Sequence, residues 1–179
     1  MNLPNKITVA RICLVPVCAA LALIHFPGSD LLATIVFLLA AFSDFLDGYL
    51  ARSRNLVTNF GKFLDPLADK MLVCTAMAAL VAEGRLSPVV MMIIICRDLM
   101  VDGLRSVAAG KGVVIAASYW GKAKTFSQIF MVAFLLMSSY FPESGLYQAL
   151  CLILVLVATA LTIISGVIYL YNGREFLRG

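Results

Sequence analysis

Asp44, Asp47, Asp65 and Asp69 stand within 26 residues of otherwise apolar sequence, in the run SDFLDGYLARSRNLVTNFGKFLDPLADK. An ionised carboxylate inside hydrocarbon costs roughly 3 kcal/mol or more, so a charge-poor chain keeps four of them for a reason. Asp44 and Asp47 are spaced i,i+3, and Asp65 and Asp69 are spaced i,i+4, so each pair shares one face of a helix. Two such pairs brought together make an oxygen-rich box with four negative charges, the kind of site that hard divalent cations occupy. Gly48 and Ala51 follow one turn later on nearly the same face and leave room for a flat or bulky group. Gly61 does the same one turn before Asp65, and Arg52 closes the segment with a planar fork suited to phosphate.

The elements that must position these residues read as membrane-spanning helices. The chain has 179 residues, 62% of them hydrophobic and 13% charged, too apolar a composition for a soluble domain. Apolar stretches long enough to cross about 30 Å of hydrocarbon recur along its whole length. Six spans are predicted, at about 8–26, 31–52, 61–83, 87–109, 119–140 and 146–171. The breaks between them carry turn chemistry: Phe26-Pro-Gly-Ser-Asp, Glu83-Gly-Arg-Leu-Ser-Pro, Gly110-Lys-Gly and Phe141-Pro-Glu-Ser-Gly. The expected fold is all-α and integral to the membrane: six transmembrane helices in a single domain over 1–179, with a polar cavity open to the cytoplasm. A short interfacial segment, MNLPNKIT, leads in. No cleavable signal peptide is expected, since the first apolar stretch lacks a small-residue cleavage site and a second follows after a short turn. The five cysteines, Cys13, Cys18, Cys74, Cys96 and Cys151, lie singly in apolar runs and read as packing residues, and His25 reads as interfacial.

Basic residues orient the spans. Lys6, Arg11, Arg52, Arg54, Lys62, Arg105, Lys111, Lys122, Lys124, Arg174 and Arg178 fall at one end, and the three opposite connections hold only Arg85. Both termini are therefore expected in the cytoplasm, with the four aspartates in the cytoplasmic halves of spans two and three of a cell-membrane protein. The net charge of +4 suits an anionic leaflet or anionic substrates, and with no soluble basic domain it does not point to nucleic acid.

Written as Asp44-x2-Asp47-Gly48-x2-Ala51-Arg52-x8-Gly61-x3-Asp65-x3-Asp69, the acidic region resembles the signature of the CDP-alcohol phosphotransferase family, without gap or mismatch. The likeness extends to the length, the six spans and the basic lead-in. It implies transfer of a substituted phosphate from a CDP-linked donor to an alcohol, releasing CMP, at a site holding two Mg2+ or Mn2+ ions. On this chain it implies Asp44, Asp47, Asp65 and Asp69 as metal ligands, with Asp69 also the general base for the attacking hydroxyl. It implies Asp47, Gly48, Ala51, Arg52 and Gly61 as the cradle of the CDP donor, with Asn5 and Thr8 reaching toward it, and it implies a homodimer. The residues read alone agree with this chemistry. Transfer from a pyrophosphate needs its oxygens neutralised, which metal pairs do well, and the acceptor hydroxyl needs a base. A lipid donor accounts for a site inside the membrane.

The acceptor is addressed by a second stretch, RDLMVDGLRSVAAGKGVVIAASYWGKAKTFSQ, over 97–128. Arg97 and Arg105 lie two turns apart, close to one face of span four, and Ser118, Lys122 and Thr125 repeat at i, i+4, i+7. These residues make an anion site for an acceptor with a phosphate or carboxylate of its own. The wording also looks like the bacterial phosphatidylglycerophosphate synthase branch of the family, which implies sn-glycerol 3-phosphate as acceptor and CDP-diacylglycerol as donor. That likeness puts Arg105 and Lys122 first as phosphate ligands, then Arg97 and Ser118. Asp98 and Asp102 depart from the branch pattern. The first is expected to keep an ion pair. The second adds a carboxylate near the proposed phosphate site, which counts against a phosphorylated acceptor unless it pairs with Arg105 or Arg97. Lys111 and Lys124 read as anchors, and Tyr119 and Trp120 as interfacial belt residues. Serine, an inositol phosphate or phosphatidylglycerol remain open as acceptors. A divalent-cation transporter is a further reading of the acidic box, although the acids lie at one membrane face and no acidic trail continues across.

Overall fold

A computed structural model describes the backbone of residues 3–53, 59–110, 113, 119–141 and 143–177, and the side chains of 6–43, 64, 67–110, 113, 119–141 and 143–172. The described residues form helices and turns, without strands. Six α-helices follow one another: α1 Leu3–Leu23, α2 Ser29–Ser53, α3 Asn59–Ala82, α4 Pro88–Gly110, α5 Tyr119–Leu136 and α6 Gly145–Leu177. A 3₁₀ turn, Met137–Tyr140, continues α5, so the fifth expected span ends in a tightened turn.

The expected interfacial lead-in is not a separate segment. α1 begins at Leu3 and runs unbroken through the PNKIT residues, because a proline in the first turn of a helix forfeits no intrahelical hydrogen bond. Two helical stretches, Lys6–Leu23 and Gly145–Asn172, are long and apolar enough to cross a membrane. The outer surface agrees with a lipid setting: Leu39, Phe42, Leu99, Phe126, Leu152 and Val167 are all exposed, on four different helices.

The turns joining α1 to α2, α3 to α4 and α5 to α6 gather at one end. Phe26-Pro27-Gly28-Ser29 is a reverse turn in which the Ser29 amide donates to Phe26 O (3.0 Å), with Pro27 second and Gly28 third at φ +96°. α3 stops where Gly84 takes φ +68°, with the Gly84 amide on Val81 O and the Arg85 amide on Leu80 O (3.0 and 2.9 Å). Ser87 then caps α4 through the Val89 amide (3.3 Å), with Pro88 in the first helical position. Ser144 caps α6 through the Tyr147 amide in the same way (3.3 Å).

Packing divides the molecule into two groups of three. α1 lies most extensively against α2 and α3, and α6 against α5 and α4, with thinner contacts where α2 and α3 meet α5 and α3 meets α4. The core between them mixes Phe37, Leu72, Met77, Leu80, Ile94, Met131 and Leu136 with Ala33, Ala40, Ala76 and Ala158. Alanines let helix backbones approach closely, which matters where lipid leaves packing as the main force between helices.

Candidate active site

Asp44 and Asp47 lie six to nine residues before the end of α2, and Asp65 and Asp69 six to ten residues after the start of α3. These helices are joined through 54–58, so backbone connectivity alone brings the four positions to one end of the bundle. The side chains of Asn5, Asp44, Asp47, Gly48, Ala51, Arg52, Gly61 and Asp65 lie outside the described residues, as does Ser118 altogether, and so do the walls that the expected polar cavity would need. Asp69 is described: it is partly buried and engaged with a partner. Among the described residues no three carboxylate, thiol or imidazole side chains come together. The donor set assigned to the metal pair is all carboxylate oxygen, which fits Mg2+ or Mn2+ and not a soft transition metal.

α1 supplies an unexpected neighbour. Thr8 and Arg11, one turn apart, are both buried, Thr8 completely and Arg11 to 1% exposure. Arg11 Nε donates to Ser43 Oγ (3.1 Å), and Ser43 immediately precedes Asp44. Read from sequence, Arg11 is one more positive-inside anchor; in the fold it is an interior cation beside the acidic helix. The signal lay in its position, inside the first apolar stretch and not ahead of it.

α4 carries the other half of the site on two faces. On one, Arg97 and Arg105 turn toward Tyr169 of α6, their guanidinium carbons 5.3 and 5.4 Å from the ring centroid. Arg105 Nη2 donates to the Tyr169 hydroxyl (3.0 Å). On the other face, Asp98 receives Lys124 Nζ at 2.6 Å on both carboxylate oxygens, and also Arg97 Nη1 at 3.1 Å. Asp98 therefore keeps the expected ion pair. Asp102 pairs with neither Arg97 nor Arg105 but with Lys70 of α3, because the Asp98–Asp102 face of α4 looks toward α3 and α5 while the arginines look toward α6. Its carboxylate is met by a lysine and does not consume the arginines.

The lysines of α5 also differ from their sequence reading. Lys124, taken for an anchor, is 5% exposed and locked to Asp98. Lys122 is exposed and has no hydrogen-bond or ion-pair partner among the described residues. Two residues rotate a helix by about 200°, so only one of the pair can face the core. Thr125 bonds back to Gly121 O (3.2 Å). Tyr169, placed within an unbroken apolar run, gave no sequence signal of its role.

Arg97 Nε, Arg97 Nη2 and Arg105 Nε are buried with no hydrogen-bond partner among the described residues. A buried donor left bare costs about 1–3 kcal/mol, more when charged. Lys70, Arg97, Arg105 and Lys124 stand near Asp98 and Asp102, and Asp69 also lies close enough to Lys70 and Lys124 to act on their charges, so cations outnumber carboxylates by one among these described residues. A positive balance with bare guanidinium donors suits a bound anion.

Residues 1–167 match the family model described as CDP-alcohol phosphatidyltransferase. The chain is 42% identical to the CDP-diacylglycerol--glycerol-3-phosphate 3-phosphatidyltransferase of Bacillus subtilis (strain 168), over 99% of this chain and 97% of that protein. It is 38% identical to the protein of that name from Rickettsia bellii, over 98% of this chain and 97% of the relative. A Haemophilus influenzae protein of the same name is 34% identical, over 98% and 95%.

Proposed function

Since the chain belongs to the CDP-alcohol phosphatidyltransferase family of transferase enzymes, we propose that it moves the phosphatidyl group of CDP-diacylglycerol to sn-glycerol 3-phosphate, giving phosphatidylglycerol phosphate and CMP. The observation that carries the choice of a phosphorylated acceptor is the set of buried guanidinium N–H groups on α4 that lack a partner among the described residues. The names of the full-length relatives support the same acceptor.

In this reading the hydroxyl oxygen of the acceptor attacks the phosphatidyl phosphorus, forming a new P–O bond as the pyrophosphate P–O bond breaks and CMP leaves. Asp69 accepts the hydroxyl proton. Its carboxylate becomes an effective base as the hydroxyl acidifies in the transition state. Asp44, Asp47, Asp65 and Asp69 would hold two Mg2+ or Mn2+ ions, which when bound supply positive charge against the pyrophosphate oxygens. Asn5, Thr8, Asp47, Gly48, Ala51, Arg52 and Gly61 form the donor cradle. Arg105 and Arg97 receive the acceptor phosphate, with Lys122 in the first turn of α5, and Ser118, completing the anion site. Lys124 acts indirectly by holding Asp98, which in turn fixes one edge of Arg97.

The chain spans the cell membrane six times with both termini and the site on the cytoplasmic side, a reading supported by the skew of basic residues. Donor acyl chains then stay in the bilayer while the headgroup enters between helices. The family resemblance adds a homodimer. The test is to supply purified protein with CDP-diacylglycerol, Mg2+ or Mn2+, and in turn sn-glycerol 3-phosphate, serine, an inositol phosphate or phosphatidylglycerol, and to measure CMP release. Release that depends on sn-glycerol 3-phosphate is expected; preference for another acceptor refutes the acceptor and keeps the chemistry.

A further inference from the structure

Two arginines eight residues apart on α4 start about 12 Å from each other along the helix axis, yet one phosphate can engage both only if their side chains converge. They converge on one residue. Both guanidiniums lie within 5.4 Å of the Tyr169 ring centroid, inside the range at which an aromatic quadrupole attracts a cation. The ring is itself 5% exposed, so little water competes for the contact.

The chemistry of this partner is what distinguishes it. Lys124 is met by a carboxylate, which cancels its charge. Arg105 is met by a neutral phenol, which orients the guanidinium through one hydrogen bond and leaves the charge in place. Gly166, one turn before Tyr169 on α6, adds a third element. A Cβ built there would come within 3.1 Å of Arg97 Cγ, so the bare backbone makes room for the arginine stem. The N–H groups left over, Arg97 Nε and Nη2 and Arg105 Nε, are buried and without partners among the described residues.

We propose that Tyr169 is a positioning residue for the acceptor phosphate, its ring and hydroxyl drawing Arg97 and Arg105 into a preformed phosphate seat that Gly166 leaves room for. It deepens the assignment of α4 as the acceptor site and rests on that assignment. Tyr169 does not touch the reacting atoms. It spares the two arginines the ordering that binding would otherwise require, so its effect belongs in acceptor affinity.

The test measures CMP release with CDP-diacylglycerol while sn-glycerol 3-phosphate is varied, and then the reverse, in lipid-supplemented detergent. Tyr169→Leu removes ring and hydroxyl and is expected to raise the acceptor KM ~10-fold or more, with the donor KM and the thermal midpoint nearly unchanged. Tyr169→Phe keeps ring and packing and should raise it a few fold, about 3-fold. Gly166→Ala, which presses on the Arg97 stem, should shift the same parameter in the same direction. Inorganic phosphate, as a competitor against the acceptor, should lose potency in parallel in each variant, a readout that general destabilisation would not select. Arg105→Ala separates the two levels of the argument. If it raises the acceptor KM while the Tyr169 and Gly166 variants do not, the anion site stands and the positioning role is overturned. If it too leaves the acceptor KM unchanged, the acceptor assignment falls, and the positioning role falls with it. Equal rises in both KM values together with a lowered midpoint would make Tyr169 a packing residue only and overturn the proposal.

Discussion

Arg85 and Arg97 are buried to a similar degree, their side chains 17% and 11% exposed, and they serve opposite ends of the bundle in opposite ways. Arg85 leaves no buried donor bare: Nη2 sits 3.0 Å from Asp30 Oδ2 and 3.9 Å from Glu83, and Nη1 donates to Leu136 O at 3.1 Å. Asp30 is held in turn by Ser139, and Glu83 by His25 at 2.8 Å. The cluster ties together the turns after α1, α3 and α5. Among the described residues Arg97 makes one ion pair, to Asp98, and leaves Nε and Nη2 bare. Burial therefore does not separate the two arginines, whereas the pairing of their donors does. In the proposed reading the same polar atoms stabilise the fold where buried donors have acceptors, and receive a ligand where some do not.

The contrast predicts that removing charge at the aspartate end costs turnover, and removing it at the Arg85 end costs stability. Asp69→Asn is the largest expected effect: kcat should fall about 1,000-fold, with Mg2+ and CDP-diacylglycerol binding largely kept. Retention of full activity would end its assignment as base. Arg85→Ala leaves Asp30 buried beside Ser139 without its cation and should cost about 3 kcal/mol of stability. That loss is read from the thermal midpoint in detergent, and both KM values should stay put. A raised acceptor KM in Arg85→Ala would break the comparison outright. Ser139→Ala removes a single bond to Asp30 and should cost about 1 kcal/mol, a small drop in midpoint without change in kcat. The three together sharpen the division if only Asp69→Asn lowers kcat and only the two changes at the Arg85 end lower the midpoint.

Much of this was legible before any coordinates. The six helices begin and end within a few residues of the apolar runs, because the Pro-Gly and Gly-Arg-Leu-Ser-Pro breaks carry positive-φ glycines and serine caps that work locally. The aspartate string was legible for the same reason, since its spacing lies within two helices joined by a short connection. What the sequence could not show was which side of a helix met which neighbour. Lys122 reads as a phosphate ligand and Lys124 as an anchor until α5 is docked, and docking buries Lys124 against Asp98 and leaves Lys122 exposed. The partner of Asp102 is Lys70, 32 positions away, and no local pattern connects them. Tyr169 in an apolar helix and Arg11 near a basic terminus each have an ordinary explanation that only tertiary contacts remove.

The grouping of α1 with α2 and α3, and of α6 with α4 and α5, has a consequence for biosynthesis. A nascent chain that has reached the Gly84 turn already possesses all the helices against which α1 packs most. Those three helices hold all four aspartates, and Arg97, Arg105, Lys124 and Tyr169 have yet to be translated. The acidic half can thus assemble before the cationic half exists. The Asp30–Arg85 pair lies within reach at that stage, whereas Lys70–Asp102 and Asp30–Ser139 are links by which later helices close onto the first three.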